Sequence, residues 1–281
     1  MNSPRPEVGT SKRPDLPLAV IVGAGGMAMA IARRLGQSNR LLIADLDAAH
    51  LSRVEAALKG DGYDVSVMRC DVTSDSDVAA FAAAAGAAGP IGVLAHVVGL
   101  SPSMGTYDSV MAVNLPGAAR IERAFVKLAQ AGTAAIFISS MAAHLLDPSD
   151  EVTAIMDDPL APDFRERLDA ALDQELTSSL AYQLSKTALN RMCRRRAVEW
   201  GACGARIVSI SPGLIATPMG ALEFERQPMK YDLLAGTPLR REGTMLEIAN
   251  VVEFVASDRA SFISGTDILV DGGLTGALKT R

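Results

Sequence analysis

The chain has 281 residues, of which 49% are hydrophobic, and a formal net charge of −5 at pH 7. This length can bury a large core without disulfides, and the three scattered cysteines contain no CxxC pair that would predict a metal ribbon. The negative charge argues against a protein that binds duplex nucleic acid, because such proteins need a basic face to neutralise phosphates.

Residues 1–15 are polar and proline-rich, which predicts a disordered tail. The apolar stretch 16–32 that follows resembles a signal peptide at first sight, but Pro17 and a cluster of glycines interrupt it. It is also too broken to cross a membrane. We therefore expect a cytoplasmic protein without a membrane span.

Beyond the tail, short apolar strands alternate with alanine-rich helical patterns. The predicted strands are 18–22, 40–44, 64–69, 93–97, 134–139, 205–210 and 267–270. The predicted helices are 27–36, 48–59, 74–85, 109–131, 182–200 and 245–256. Such alternation is typical of a parallel sheet covered on both faces. We expect a single doubly wound α/β domain of the Rossmann type over 16–275, with a mostly parallel seven-stranded sheet, and a short tail over 276–281.

The segment 145–179 departs from this alternation, since it is far longer than an ordinary loop. It contains ten acidic residues and two arginines. Four apolar residues recur every fourth position, at Phe164, Leu168, Leu172 and Leu176, so one face of a helix can pack onto the body of the protein. We interpret the segment as a small acidic helical insertion.

The first strand runs into a GxGxxA motif, Gly23-Ala24-Gly25-Gly26-Met27-Ala28. Glycines permit a tight turn and a close approach of the backbone to a pyrophosphate, while the helix that follows offers free N–H groups. Because the motif lies between a strand and a helix, it predicts a dinucleotide-binding loop.

Asp45 lies twenty residues beyond Gly25, at the end of the second strand. A carboxylate at this place can accept hydrogen bonds from the ribose hydroxyls of the adenosine and repels a 2′-phosphate. We therefore predict NAD as cofactor over NADP. The alternative is that Asp45 or Asp47 caps the next helix, a role that suits Asp47.

Tyr182 and Lys186 are four positions apart on a predicted helix and so share one face. A nearby ammonium stabilises a phenolate and lowers the pKa of the phenol from about 10. Tyr182 could then act as a general acid or base, although a YxxxK pair by itself is common.

Together with these residues, further motifs resemble the short-chain dehydrogenase/reductase family over residues 16–275. They are Cys70-Asp71-Val72, Val113-Asn114-Leu115-Pro116-Gly117, Ile138-Ser139-Ser140-Met141, Ser211-Pro212-Gly213-Leu214-Ile215-Ala216-Thr217-Pro218, and Ser264-Gly265-Thr266 through Asp271-Gly272-Gly273. Their order along the chain matches that of the family.

The resemblance implies that Tyr182 exchanges the proton with the substrate oxygen and that Ser140 donates a hydrogen bond to this oxygen. It implies that Lys186 holds the nicotinamide ribose and that Asn114 fixes a water connecting Lys186 to solvent. The residues expected to bind the cofactor are Gly23, Gly25, Gly26, Met27, Asp45, Asp71, Val72, Gly99, Tyr182, Lys186, Pro212, Gly213, Ile215 and Thr217. Asp71 and Val72 would lie beside the adenine, and Ile215 and Thr217 would meet the carboxamide.

Three features depart from the family pattern. Met27 and Met29 stand where the later glycines of the phosphate loop are usual, and His96-Val97-Val98-Gly99 replaces the usual NNAG. We expect His96 to be a buried, hydrogen-bonded side chain. The third departure is the insertion between Ser140 and Tyr182, which must lie near the mouth of the active site or beside the Tyr182 helix. There it could act as a lid or obstruct the helix-to-helix interface of family tetramers.

The resemblance implies hydride transfer between NAD and a secondary alcohol or ketone, without a metal. Apolar residues between Pro218 and Leu239 suggest a hydrophobic substrate: Met219, Leu222, Phe224, Met229, Tyr231, Leu233 and Leu234. We expect a homodimer or homotetramer. The cluster Arg191, Arg194, Arg195 and Arg196 is interpreted as a solvated helix face. Alternatives are an epimerase or dehydratase of nucleotide sugars and a non-catalytic dinucleotide sensor.

Overall fold

A computed structural model describes residues 15–172, 175–218, 220–221, 224 and 229–280. The predicted tail falls almost wholly outside these residues. In the part described, the strands are β1 Leu18–Val22, β2 Arg40–Asp45, β3 Val65–Arg69, β4 Ile91–His96, β5 Ala134–Ile138, β6 Arg206–Pro212, β7 Ile215–Ala216, β8 Gly243–Thr244 and β9 Thr266–Val270. The α-helices are α1 Gly26–Leu35, α2 Ala48–Gly60, α3 Asp75–Ala88, α4 Tyr107–Ala112, α5 Ala118–Phe125, α6 Asp150–Met156, α7 Phe164–Ala171, α8 Ser178–Ala202, α9 Met229–Gly236, α10 Met245–Ala256 and α11 Leu274–Lys279.

Seven of the strands form one sheet in the order β3-β2-β1-β4-β5-β6-β9, and every neighbouring pair is parallel. This confirms the doubly wound α/β fold. The sheet separates two apolar cores, one containing residues of α3, α5 and α8 and the other containing residues of α1, α2 and α10. The central strands β1 and β5 are buried throughout, which explains their continuous apolar sequences.

The predicted helix 109–131 is wrong as a single element, because the chain there forms α4, a π-helical turn Val113–Gly117 and then α5. Pro116 lies inside the π turn and has no N–H to donate to a regular helix. At the carboxyl terminus, residues 276–279 belong to α11, where the sequence suggested a tail.

The insertion contributes two short helices, α6 and α7. Val152, Ile155, Phe164 and Leu168 from these helices form a third apolar core with residues of α4 and α8. The four-residue apolar spacing was only half informative, since α7 ends at Ala171 while Leu176 is 37% exposed. The insertion therefore packs beside the helix that carries Tyr182.

Among the described residues, no helix combines the length and the apolar character needed to cross a membrane.

Candidate active site

The carboxyl ends of the sheet strands bring the predicted site residues to one edge of the sheet. The strand order reverses direction between β1 and β4, which is where open α/β sheets form a crevice for ligands. The glycine loop follows β1, Asp45 ends β2, Gly99 follows β4 and Ser140 follows β5. Residues from separate parts of the sequence thus meet along one edge of the sheet.

The glycine loop turns tightly and leaves the start of α1 open. Gly23 has φ +106°, and a Cβ there would lie 2.8 Å from the backbone nitrogen of Val98. Gly25 is the N-cap residue of α1 and has no side chain that could cap the helix. A Cβ at Gly25 would meet no described atom within 4 Å, so a ligand could approach the backbone there. The first amides of α1 are thus available to an anion.

The neighbours of this loop are partly buried methionines. Met27 and Met29 pack against the core on the α1 side of the sheet. Gly26 faces Met245 of α10, whose sulfur would lie 2.9 Å from a Cβ at that position, and Pro218 is also close. Met245 therefore lies against the glycine loop, although nothing in the sequence motifs singled it out.

Asp45 contacts the glycine loop directly. Its Oδ2 accepts a 2.8 Å hydrogen bond from the backbone N–H of Ala24, and its Oδ1 accepts one from Asp47 at 3.1 Å. A carboxylate has further lone pairs, so Asp45 can still accept from ribose hydroxyls. As expected, the side chain of Asp47 caps α2 by accepting from the N–H of His50.

Asp71 and Val72 follow β3, the strand next to the one that Asp45 ends. The Oδ1 of Asp71 accepts hydrogen bonds from the N–H and the hydroxyl of Thr73, at 2.8 and 2.7 Å. Val72 is buried and packs on Gly117. A Cβ added at Gly117 would lie only 2.8 Å from Cγ2 of Val72. Asp71 therefore shapes the turn locally, and Val72 joins this turn to the π-helical turn.

Ser140 lies where β5 ends and is 9% exposed. Its Oγ accepts a 3.2 Å hydrogen bond from the N–H of Ala142, which begins a short 3-10 turn. A hydroxyl that accepts one bond can still donate its own hydrogen to a substrate oxygen. Thr187 of α8 donates to the carbonyl of Ala143 at 3.2 Å and so connects this turn to the Tyr182 helix.

Tyr182 and Lys186 lie one turn apart in α8, and the Lys186 ammonium is 5.8 Å from the centre of the Tyr182 ring. Tyr182 is half-buried, whereas Lys186 is 4% exposed. The Nζ of Lys186 donates a 2.9 Å hydrogen bond to the carbonyl of Ile138. Burial lowers the pKa of Lys186 to about 8, because the charged form loses its hydration.

Asn114 lies in the π-helical turn and holds the backbone that follows β4. Its Oδ1 accepts from the N–H of Leu100 at 2.8 Å, and its Nδ2 donates to the carbonyl of Leu100 at 2.9 Å. Gly99 fits between Asn114 and Lys186, since a Cβ there would lie 3.3 Å from both Asn114 Oδ1 and Lys186 Nζ. These two side chains therefore converge on one glycine.

The loop after β6 carries the remaining predicted cofactor residues. Pro212 ends β6, and a Cβ at Gly213 would lie only 2.6 Å from the Cα of Asp271. Ile215 pairs with Gly243 in the two-stranded sheet of β7 and β8. The hydroxyl oxygen of Thr217 accepts a 2.8 Å hydrogen bond from the N–H of Gly220. Met219 and Leu222, predicted to line a substrate pocket, lie outside the described residues, as does the side chain of Met229.

His96 is buried as expected, but the expectation that it is hydrogen-bonded is wrong. Neither ring nitrogen has a hydrogen-bond partner among the described residues. The ring stacks on Phe137 with 5.2 Å between the ring centres. Burial, with a smaller contribution from the charge of Lys186, lowers the pKa of His96 to about 3, so the imidazole is neutral.

The basic cluster on α8 is not simply a solvated face, since two of its arginines bind the insertion. Arg191 donates two hydrogen bonds to the carboxylate of Asp157, at 2.6 and 2.9 Å, and Arg195 donates to its backbone carbonyl. At the other end of the insertion, Arg165 pairs with Asp108 and lies 4.3 Å from the ring centre of Tyr107. Charged contacts with α4 and α8 thus hold both insertion helices in place.

Comparisons with known proteins agree with this architecture. The family model described as enoyl-(acyl carrier protein) reductase matches residues 22–156 and 170–275. A short-chain dehydrogenase/reductase of Alternaria brassicicola is 35% identical over 258 residues, which cover 90% of this chain and 94% of that protein.

A second relative is the galactitol 2-dehydrogenase (L-tagatose-forming) of Cereibacter sphaeroides. It is 30% identical over 274 residues and covers 94% of this chain and 96% of its own. Among solved structures, the crystal structure of gox2181 superposes with a TM-score of 0.75 at 25% identity, covering 93% of this chain and 96% of that one.

Proposed function

We propose that this chain, which belongs to the short-chain dehydrogenase/reductase family, transfers a hydride between NAD(H) and a secondary alcohol or ketone. The observation that carries the proposal is the convergence of Asn114 and Lys186 on Gly99, at the same edge of the sheet as Ser140 and Tyr182. A nucleotide-binding protein without catalytic activity would not need this arrangement.

The site residues divide the proton chemistry among themselves. The hydroxyl of Tyr182 gives a proton to the carbonyl oxygen during reduction and takes it back during oxidation. Ser140 donates a hydrogen bond to the same oxygen and so stabilises the negative charge that develops there. The Lys186 ammonium stabilises the phenolate form of Tyr182. When it is bound, the nicotinamide supplies or accepts the hydride.

The residues present suit a dinucleotide. The open start of α1 and the absence of a side chain at Gly25 leave room for a pyrophosphate beside free amides. Asp45 would accept hydrogen bonds from the hydroxyls of the adenosine ribose, and its charge would repel a 2′-phosphate. These features support NAD over NADP as the cofactor.

For the substrate we propose a hydrophobic alcohol or ketone. Leu145 is 42% exposed just beyond the Ser140 turn, and Phe224 and Tyr231 contact each other with their ring centres 5.1 Å apart. The relative that is named for galactitol oxidation makes a polyol the natural competing class. Activity on galactitol and inactivity on cyclic or terpenoid alcohols would contradict the proposal.

For the assembly we propose a dimer. The insertion covers the apolar side chains of α4 and of the first half of α8, so these side chains would not be available for contact between subunits. Crosslinking that shows a tetramer with α4 and α8 at its interface would contradict this.

The test of the proposed function is a calorimetric titration of the wild type and of Asp45→Asn with NADH and NADPH. The Asn variant keeps an oxygen that can accept from Ala24 but removes the charge. We expect the wild type to prefer NADH and the variant to lose this preference. Tyr182→Phe should still bind NADH but lose about 10²-fold or more in kcat. Wild-type protein that binds neither nucleotide would overturn the proposal.

A further inference from the structure

The backbone of Ala24 is held by two side chains, one from the end of β2 and one from the first turn of α2. Its N–H donates to Asp45 Oδ2 at 2.8 Å, and its carbonyl lies 3.0 Å from His50 Nε2. The first contact fixes the peptide between Gly23 and Ala24, and the second fixes the peptide between Ala24 and Gly25. Two consecutive peptide planes of the glycine loop are therefore set by side chains from outside the loop.

The contacts of His50 define its tautomer. A carbonyl can only accept, so Nε2 must carry the hydrogen. The other ring nitrogen, Nδ1, lies 3.4 Å from Nη2 of Arg53, a group that can only donate. A neutral imidazole protonated on Nε2 satisfies both neighbours. The backbone of His50 is fixed in turn by Asp47, whose side chain accepts from the N–H of His50 at 2.9 Å.

The glycine loop has reason to need such support. Glycine loses more conformational freedom on ordering than any other residue, and Gly25 and Gly26 are both exposed. In a trans peptide the C=O and the following N–H point in opposite directions. When His50 holds the Ala24 carbonyl towards α2, the N–H of Gly25 is turned away from α2. A loop fixed in this way before binding costs less to order when a ligand arrives.

We propose that His50 is a positioning residue for the glycine loop. By holding the Ala24 carbonyl, it raises the affinity of the loop for the pyrophosphate of the dinucleotide. The inference rests on the proposed function. It assigns different roles to the two residues: Asp45 holds the glycine loop and binds the adenosine ribose, whereas His50 only holds the glycine loop.

The experiment measures the dissociation constants of NADH, ADP-ribose and adenosine for the wild type, His50→Leu, His50→Gln and His50→Glu. Gln can place a donor near the position of Nε2, whereas an ionised Glu offers only acceptors. Losing one hydrogen bond should weaken NADH and ADP-ribose about three- to tenfold in the Leu and Glu variants, and Gln should restore most of the affinity. Adenosine, which has no pyrophosphate, should bind equally to all four proteins, and kcat at saturating NADH should be unchanged.

Ser52→Ala is the matched control, because Ser52 is exposed on the same helix and donates to Ala48, away from the loop. It should leave all three affinities unchanged. If His50→Leu binds NADH as tightly as the wild type, the inference is overturned and the proposed function is not. Equal NADH affinities of the Gln and Glu variants would have the same meaning. This second comparison holds even if the Leu variant folds poorly. Wild-type protein that binds no dinucleotide overturns the proposed function and this inference together.

Discussion

The ammonium nitrogen of Lys186 donates a 2.9 Å hydrogen bond to the main-chain carbonyl of Ile138, two residues before Ser140. The contact connects α8 to the end of β5 and keeps a charge below the protein surface. Two proposed catalytic side chains are thus held in register by a bond between a third side chain and the backbone.

The buried lysine should make stability depend on pH in the alkaline range. Its pKa is about 8 in the folded protein, against an ordinary value of 10.5, so between these values the unfolded chain binds a proton that the folded chain lacks. The free energy of unfolding should therefore rise with pH across this window, by about 3 kcal/mol, and the gain is lost as pH falls through 8. Urea denaturation at pH 7.5, 9 and 10.5 should show this rise in the wild type. If the free energy of unfolding of Lys186→Met rises with pH as much as that of the wild type, Lys186 is not the cause.

His96 should make the protein sensitive to acid. Its pKa is lowered to about 3, so below pH 6.5 the unfolded chain gains a proton that the folded one does not. The contribution is fully present above pH 6.5 and falls with pH by about 1.4 kcal/mol per unit. His96→Phe keeps an aromatic ring beside Phe137 and removes this titration. Denaturation at pH 6.5 and 4 should show the variant gaining about 3 kcal/mol relative to the wild type. An equal loss in both proteins would show that His96 is not responsible.

Asn114→Ala should affect stability and catalysis together. It leaves the partly buried N–H and carbonyl of Leu100 without their side-chain partner, which should cost about 1–3 kcal/mol. It also loosens the backbone at Gly99 beside Lys186, so kcat should fall. Asn39→Ala provides the control, because Asn39 makes a buried bond to Leu35 just before β2, at the opposite edge of the sheet. It should lower stability and leave kcat unchanged. Equal effects of the two variants on kcat would contradict a specific role for Asn114.

The insertion should lose its packing when its central leucine is shortened. Leu168 of α7 is fully buried against α4 and α8. Leu168→Ala should therefore lower the free energy of unfolding by about 2–5 kcal/mol. Leu176→Ala, at a more exposed leucine of the same segment, should cost far less. Chemical denaturation gives the free energies, and limited proteolysis should cut the Leu168 variant first within 145–179. Resistance equal to the wild type would mean that the segment does not depend on this core.

Features that depend on short stretches of sequence were predictable. The apolar strands, the glycine loop and the helix carrying Tyr182 and Lys186 all follow from local periodicity and spacing, and the structure has each within a few residues. The break at Pro116 could also have been inferred from the missing N–H, but the apolar periodicity on both sides of it suggested a continuous helix.

Features that depend on distant partners were not predictable in this way. Arg191 and Arg195 form an ordinary basic helix face in the sequence, and Asp157, which binds them, is more than thirty positions away. His96 occupies a strand end where a hydrogen-bonded role was reasonable, but its ring stacks on Phe137 and neither ring nitrogen finds a hydrogen-bond partner in the part of the chain that the structure describes. His50 belongs to no motif, so nothing before the structure connected it to Ala24.

The 41 residues between Ser140 and Tyr182 have a consequence for how the chain folds. Bringing the ends of such a segment together costs only about 1 kcal/mol more chain entropy than closing a loop of about a dozen residues, since the cost grows with the logarithm of length. The apolar contacts of α6 and α7 with α4 and α8 can offset that amount. An enlarged connection at this point costs little stability, but it increases the sequence separation of the contacts between β5 and α8, which should slow folding.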